Sequence, residues 1–222
     1  MNKIFLIFFG PPGSGKGTQA DMLGAKIKLP VISPGELLRF EEKTKTALGK
    51  KVANSLAKGK MAPSEIVEKI IDKRIRKKDA KKGFILDGYP RDKKQFKNLL
   101  QRFARIADAG DAVFAIFMDV GAKEIKKRFG GRRVCGCGAS YHTDFNPPKK
   151  KNICDLCGAR IYTREDDKPK IISERIKFYK KESAPLINYW RRSGKLIEIN
   201  GEENIKKINA DLIKKINKAL KK

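Results

Sequence analysis

The chain alternates short apolar runs with longer stretches in which apolar residues recur every three or four positions. Ile4, Phe5, Leu6, Ile7, Phe8 and Phe9 form an unbroken apolar run, the pattern of a strand buried on both faces. That run leads straight into a glycine-rich segment, and residues 17–27 then read as helix. Val31 and Ile32 predict a short strand, followed by helices near 35–45 and 48–58. Pro63, Ser64 and Glu65 open another helix, with Ile66, Val67, Ile70, Ile71 and Ile75 on one face. A strand over 84–87 ends in the carboxylate of Asp87, and a helix over 92–107 leads to a strand over 112–119. Residues 122–129 look helical, and 171–193 predict one long helix containing Pro185. A strand over 196–199 and a lysine-rich helix close the chain. Five strands separated by helices argue for a parallel α/β sheet with helices on both faces. No repeat is visible, and no Pro/Gly/Ser linker separates independent domains. Residues 130–167 break the alternation. They hold all four cysteines, the pair Pro147 and Pro148, and the only histidine, His142, and so read as a module inserted on the sheet scaffold.

Composition narrows the class. A chain of 222 residues, 40% hydrophobic and 35% charged, suits one sizeable core with a heavily charged surface. The longest apolar run is far too short to span a bilayer, and no export leader is recognisable. Four cysteines confined to one stretch do not suggest a disulfide-stapled secreted protein. Cytoplasmic residence is the expectation. The net charge of +27 would suit a nucleic-acid binder, but the lysines are dispersed, as at Lys77 and Lys78, Lys149 to Lys151, and Lys221 and Lys222. They are not gathered with aromatics into a platform, so a solvated surface that attracts small polyanions is the preferred reading over a dedicated nucleic-acid site.

The strongest chemical signal lies between the first strand and the first helix. Gly10, four residues, then Gly15 and Lys16 is a phosphate-loop spacing in the context such a loop requires. Glycines let backbone N–H groups turn toward phosphate oxygens; the helix adds its positive end and the lysine reaches the outer phosphates. Ser or Thr usually follows that lysine; here Gly17 does, and Thr18 comes next.

This variant, Gly-Pro-Pro-Gly-Ser-Gly-Lys-Gly-Thr at 10–18, resembles the loop of nucleoside monophosphate kinases, adenylate kinase in particular. The resemblance continues through Ile32-Ser-Pro-Gly-Glu-Leu-Leu-Arg39, Asp87-Gly-Tyr-Pro-Arg91 with Gln95, Arg128-Phe-Gly-Gly-Arg-Arg133, Tyr141-His142, Phe145-Asn-Pro-Pro148, Arg164-Glu-Asp-Asp167 and Arg175. It implies a P-loop NTPase-type three-layer sandwich around a five-stranded parallel sheet. A core of 1–32, 63–130 and 168–222 would carry a helical monophosphate-binding arm at 33–62 and a zinc lid at 131–167. Also implied are a monomer and a magnesium-dependent exchange in which ATP and AMP interconvert with two ADP. On the ATP side the resemblance places Gly13, Ser14, Gly15, Lys16, Gly17, Thr18, Arg132, Ser140, Tyr141 and Glu203. On the AMP side it places Pro34, Arg39, Lys60, Met61, Ala62, Gly88, Tyr89, Pro90, Arg91, Gln95, Arg164 and Arg175.

The residue types fit such chemistry. Phosphoryl transfer between two nucleotides crowds negative charge into one cleft and needs positioning and neutralisation more than covalent help. Lys16, Arg39, Arg91, Arg128, Arg132, Arg164 and Arg175 are the candidates for that work, although an isolated arginine is ordinarily a solvated surface charge. Asp87, at a strand end, would hold Mg2+ through water, the plainer role being a turn or capping aspartate. In the family a Thr contacts the AMP base where this chain has Pro34, which keeps a UMP or CMP kinase as the alternative; Gln95 favours adenine. Cys135-x-Cys137 and Cys154-x-x-Cys157, with sixteen residues between the pairs, read as four thiolate ligands of a structural Zn2+, with free thiols as the plainer reading. The family's zinc lids carry two residues inside the first pair rather than one, so a tighter knuckle is expected. A basic zinc-ribbon nucleic-acid-binding protein is the remaining alternative.

Overall fold

The apolar run of strand β1 (Ile4–Phe9) is divided by its own pleat between two cores. Phe5, Ile7 and Phe9 point to one face, where helices packed across the sheet bury them with Phe84, Leu99, Phe103 and Trp190. Leu6 and Phe8 point to the other face and pack with Ala20, Leu23, Leu212 and Ile216. A strand that must be apolar on both sides cannot alternate with polar residues, which is why the run is unbroken. The description rests on a computed structural model and covers residues 2–44, 46, 49–52 and 62–221.

Helix α1 (Lys16–Ile27) follows β1 and leads to β2 (Val31–Ile32) and α2 (Pro34–Lys43). Next come α3 (Ser64–Ile75), a 3-10 turn (Lys78–Ala80) and β3 (Gly83–Asp87). Helix α4 (Lys93–Ile106) is capped by Asp92, whose Oδ1 accepts from the Gln95 backbone N at 2.8 Å. Then follow β4 (Ala112–Asp119), α5 (Ala122–Gly130), β5 (Arg132–Val134) and β6 (Ser140–His142). Helices α6 (Pro169–Phe178) and α7 (Ala184–Arg192), strand β7 (Leu196–Asn200) and α8 (Ile205–Leu220) complete the order. The main sheet is parallel, in the order β2-β3-β1-β4-β7. β5 and β6 form a separate antiparallel pair within the cysteine-bearing insert.

The sheet and most helices match the expectation from the pattern. The helix expected near 48–58 extends beyond the described residues, as do Lys60 and Met61. One expectation is corrected. Residues 171–193 are not a single regular helix, because a π turn (Tyr179–Ser183) separates α6 from α7. Pro185 lacks an N–H and cannot complete the regular ladder, and a widened turn accommodates the break. The hairpin β5–β6 was not legible, since strands of three residues are too short to show a period.

Candidate active site

Parallel strands bring their carboxyl ends to one edge, and that edge carries the site. β1 ends at the glycine-rich loop, and its register with β3 sets Phe8 beside Asp87, so the carboxylate stands next to the loop. Gly13 and Gly15 both have φ of 82°, a left-handed conformation costly for any residue with a Cβ. A Cβ on Gly13 would also meet the Phe129 ring at 2.9 Å. α1 then begins without a side-chain cap and without an acidic residue in its first turn, which leaves its positive end open to an anion.

The loop opens onto a cleft of about 890 Å³. The structure brings to its wall most residues expected from the sequence: Gly13 to Thr18, Arg39, Ala62, Asp87, Gly88, Pro90, Arg91, Arg128, Arg132, Ser140, Tyr141, Arg164, Arg175 and Glu203. Pro34, Tyr89 and Gln95 lie off the wall. Pro34 is the buried first residue of α2, the position where a proline opens a helix most readily. The Tyr89 hydroxyl donates to Glu68 at 2.9 Å and accepts from Arg102 at 3.1 Å, anchoring the 87–91 turn into the core. Buried Gln95 accepts from the Arg91 backbone N at 2.8 Å. The four cysteines lie outside the cleft.

The electrostatics are those of a crowded cationic site. Burial pushes the Lys16 ammonium down to about 8; Asp87 opposes this, and Arg91, Arg175 and Arg132 add to it. Burial together with neighbouring arginines also brings Arg91 and Arg164 down to about 10. Carboxylates hold several of these cations in place. Arg132 forms a two-pronged pair with Asp167, and Arg175 reaches Asp166 at 2.9 Å. Arg164 stands 3.8 Å from Glu36. Arg128 is spent differently, donating to Glu124 at 2.8 Å, to the Gly201 carbonyl at 2.7 Å and to the Ser14 carbonyl at 3.3 Å. It therefore braces the loop against the turn after β7.

Among the described residues five buried side-chain polar atoms have no hydrogen-bond partner: Trp190 Nε1 lies in the core, while Ser14 Oγ, Asp87 Oδ1, Arg164 Nε and Tyr179 OH belong to residues that line the cleft. Buried polar groups are normally satisfied, so orphans gathered in one place are the mark of a site built for a polar ligand. Asp87 Oδ1 and Thr18, both on the cleft wall, supply oxygen donors of the kind a hydrated Mg2+ takes.

The cysteines meet a separate test. Their four Sγ atoms all lie within 4.8 Å of one another, with Cys135–Cys157 at 3.4 Å and Cys137–Cys154 at 3.6 Å. A tetrahedral Zn2+ with Zn–S near 2.3 Å places its sulfurs roughly 3.8 Å apart, so the cluster is compatible with zinc. The Tyr141 hydroxyl supports it, lying 3.4 Å from Cys154 Sγ and accepting from the Asp155 N at 2.8 Å.

Several contributors were missed from the sequence. Buried Gln19 donates to the Ile205 carbonyl and accepts from Asn209, each at 3.0 Å, tying α1 to α8. Tyr179 and Ser183 reach the cleft from the π turn. Pro185 was their one available signal, since it marks where the helix must change register.

A five-stranded parallel sheet with a glycine-lysine loop and convergent arginines at its carboxyl edge defines a phosphate-loop phosphotransferase. A family model described as Adenylate kinase matches residues 8–195. Proteins called Adenylate kinase are similar along nearly their whole lengths. That of Methanococcoides burtonii is 42% identical over 209 residues, 94% of this chain and 96% of that protein. That of Caldicellulosiruptor saccharolyticus is 42% identical over 216 residues, 97% and 98% of the two chains, and that of Archaeoglobus fulgidus 42% over 201 residues, 90% and 92%. The chain belongs to the adenylate kinase family: it is a phosphotransferase, and ATP:AMP phosphotransfer is its reaction. Among the described residues, no helix is long and apolar enough to cross a membrane.

Proposed function

We propose that the cleft carries this reaction with the following division of labour. Gly13, Ser14, Gly15, Lys16, Gly17 and Thr18 cradle the triphosphate, with Arg132, Ser140, Tyr141 and Glu203 on the same side. Arg39, Ala62, Gly88, Pro90 and Arg91 face the monophosphate, with Gln95 and Tyr89 holding the 87–91 turn from beneath. Lys16, Arg91, Arg132, Arg164 and Arg175 neutralise the transferring phosphoryl group, exchanging Asp166, Asp167 and Glu36 for phosphate oxygens when nucleotide enters. Arg128 positions the loop. The observation that carries this assignment is the convergence of these cations on one cleft where four buried polar atoms lack protein partners.

The acceptor is itself a phosphate with a second pKa near about 6, so at neutral pH it arrives ionised and no general base is required. Asp87 and Thr18 would hold Mg2+, which when bound offsets charge on the phosphates. The four cysteines would hold a structural Zn2+, with no ligand position left for substrate. The division into a core (1–32, 63–130 and 168–222), a monophosphate arm (33–62) and a lid (131–167) belongs to this reading. It is supported by the separate hairpin and cysteine cluster in the insert and by a cleft lined from all three parts. A monomer in the cytoplasm completes it.

A coupled assay that offers AMP, UMP, CMP and GMP with ATP tests the acceptor. Turnover with AMP far above the others is expected; equal or better turnover of UMP or CMP would overturn AMP as the acceptor.

A further inference from the structure

Arg91 stands in a mixed field, with the cations Arg175 and Arg39 against it and the carboxylates Asp87 and Asp166 in its favour. Opposed charges of this kind do not by themselves fix one position for its guanidinium. Its position is nevertheless set by three hydrogen bonds from separate places. The Arg91 N–H donates to Gln95 Oε1 at 2.8 Å, and its side-chain Nε–H donates to the Gly88 carbonyl at 2.8 Å. The third bond comes from the π turn, where Ser183 Oγ donates to the Arg91 carbonyl at 2.7 Å.

Ser183 is buried, at 5% exposure, and ends the π turn between α6 and α7. A serine within a helix ordinarily bonds the carbonyl three or four residues back. Ser183 instead reaches 92 residues along the chain. The widened turn makes that possible, because it shifts the register just before Pro185 and swings Ser183 toward the 87–91 segment.

We infer that Ser183 is a positioning residue for phosphoryl transfer: with Gln95 it grips the two peptide groups that flank Arg91, so that both terminal nitrogens of the guanidinium are presented to the monophosphate. The π turn that follows the Arg175 helix is thereby tied to the turn that carries Arg91. The inference rests on the proposed placement of Arg91 at the monophosphate.

The test compares wild type, Ser183→Ala and Ser183→Thr, with Arg91→Ala as control. Removing the hydroxyl leaves a carbonyl unpartnered and should lower kcat/KM for AMP by about tenfold. KM for ATP should stay within about twofold and the thermal midpoint should fall by a few degrees, as for any buried carbonyl left unpartnered, while Ser183→Thr, which keeps a donor, recovers most of both losses. The Arg91 Nε–H cross-peak in a 15N spectrum should shift in Ser183→Ala and return in Ser183→Thr. Unchanged AMP kinetics in Ser183→Ala, or equal losses for ATP and AMP, would overturn the positioning role. Should Arg91→Ala itself leave AMP kinetics intact, the placement of Arg91 fails instead, and the cross-peak still reports whether Ser183 grips it.

Discussion

Gly17 stands where many phosphate loops have a serine or threonine, and replacing it by alanine sets two physical effects against each other. Gly17 is the second residue of α1 and its φ is not left-handed, so alanine can adopt the same backbone. Glycine in a helix costs roughly 0.5–1 kcal/mol relative to alanine, through the entropy of the unfolded chain. For a chain of this size that gain should raise the thermal midpoint by about 1–4 °C. The added Cβ would stand 3.3 Å from Asp87 Oδ2, tighter than an ordinary contact, so the carboxylate must retreat by a few tenths of an ångström. A misplacement of 1 Å in a catalytic constellation can cost 100-fold. A shift of about 0.3 Å, taken as proportional in free energy, then costs about fourfold. Gly17→Ala should therefore be the more stable and slower enzyme, and it should need more Mg2+ for half-maximal rate. Thermal melting in the absence of nucleotide and a Mg2+ titration of kcat at saturating ATP and AMP measure both effects. Full activity at unchanged Mg2+ demand would refute the role given to Asp87 at this contact, and a lower thermal midpoint would refute the reading of Gly17 as an unstrained helical position.

Three further outcomes follow from the same geometry. Lys16 is lowered to about 8, and a bound triphosphate favours its protonated form, so ATP affinity should be full below pH 8 and fall as pH rises through it; calorimetry between pH 7 and 9.5 shows this, and a flat profile contradicts it. Tyr89→Phe removes the hydroxyl shared by Glu68 and Arg102 in a buried network and should cost about 1–3 kcal/mol in denaturant unfolding; a neutral change would mean that the network contributes nothing. Zinc measured after dialysis should be near one per chain in the wild type and lost in Cys154→Ser, with the insert around 135–157 opening to proteolysis while the sheet stays protected; stoichiometric zinc in the mutant would show that the metal is held elsewhere.

Much of this protein is written locally. An unbroken apolar strand, a glycine-lysine loop and a helix in direct succession can be read because each needs only neighbouring residues, and the parallel sheet follows from their repetition. The four cysteines could be read as one cluster because their spacing already has the form of a ligand set. What sequence order could not show is which donors a charged side chain spends on the protein itself. Arg128 and Arg132 stand four residues apart in one motif, yet the first is committed to Glu124 and two backbone carbonyls while the second pairs with Asp167. Gln95, Tyr89 and Ser183 all support the Arg91 turn, and only packing brings Ser183 there from 92 residues away. Periodicity and spacing are properties of neighbours along the chain. The partner of a buried polar group is chosen by whichever element the folded chain sets within hydrogen-bonding distance, and that choice exists only in three dimensions.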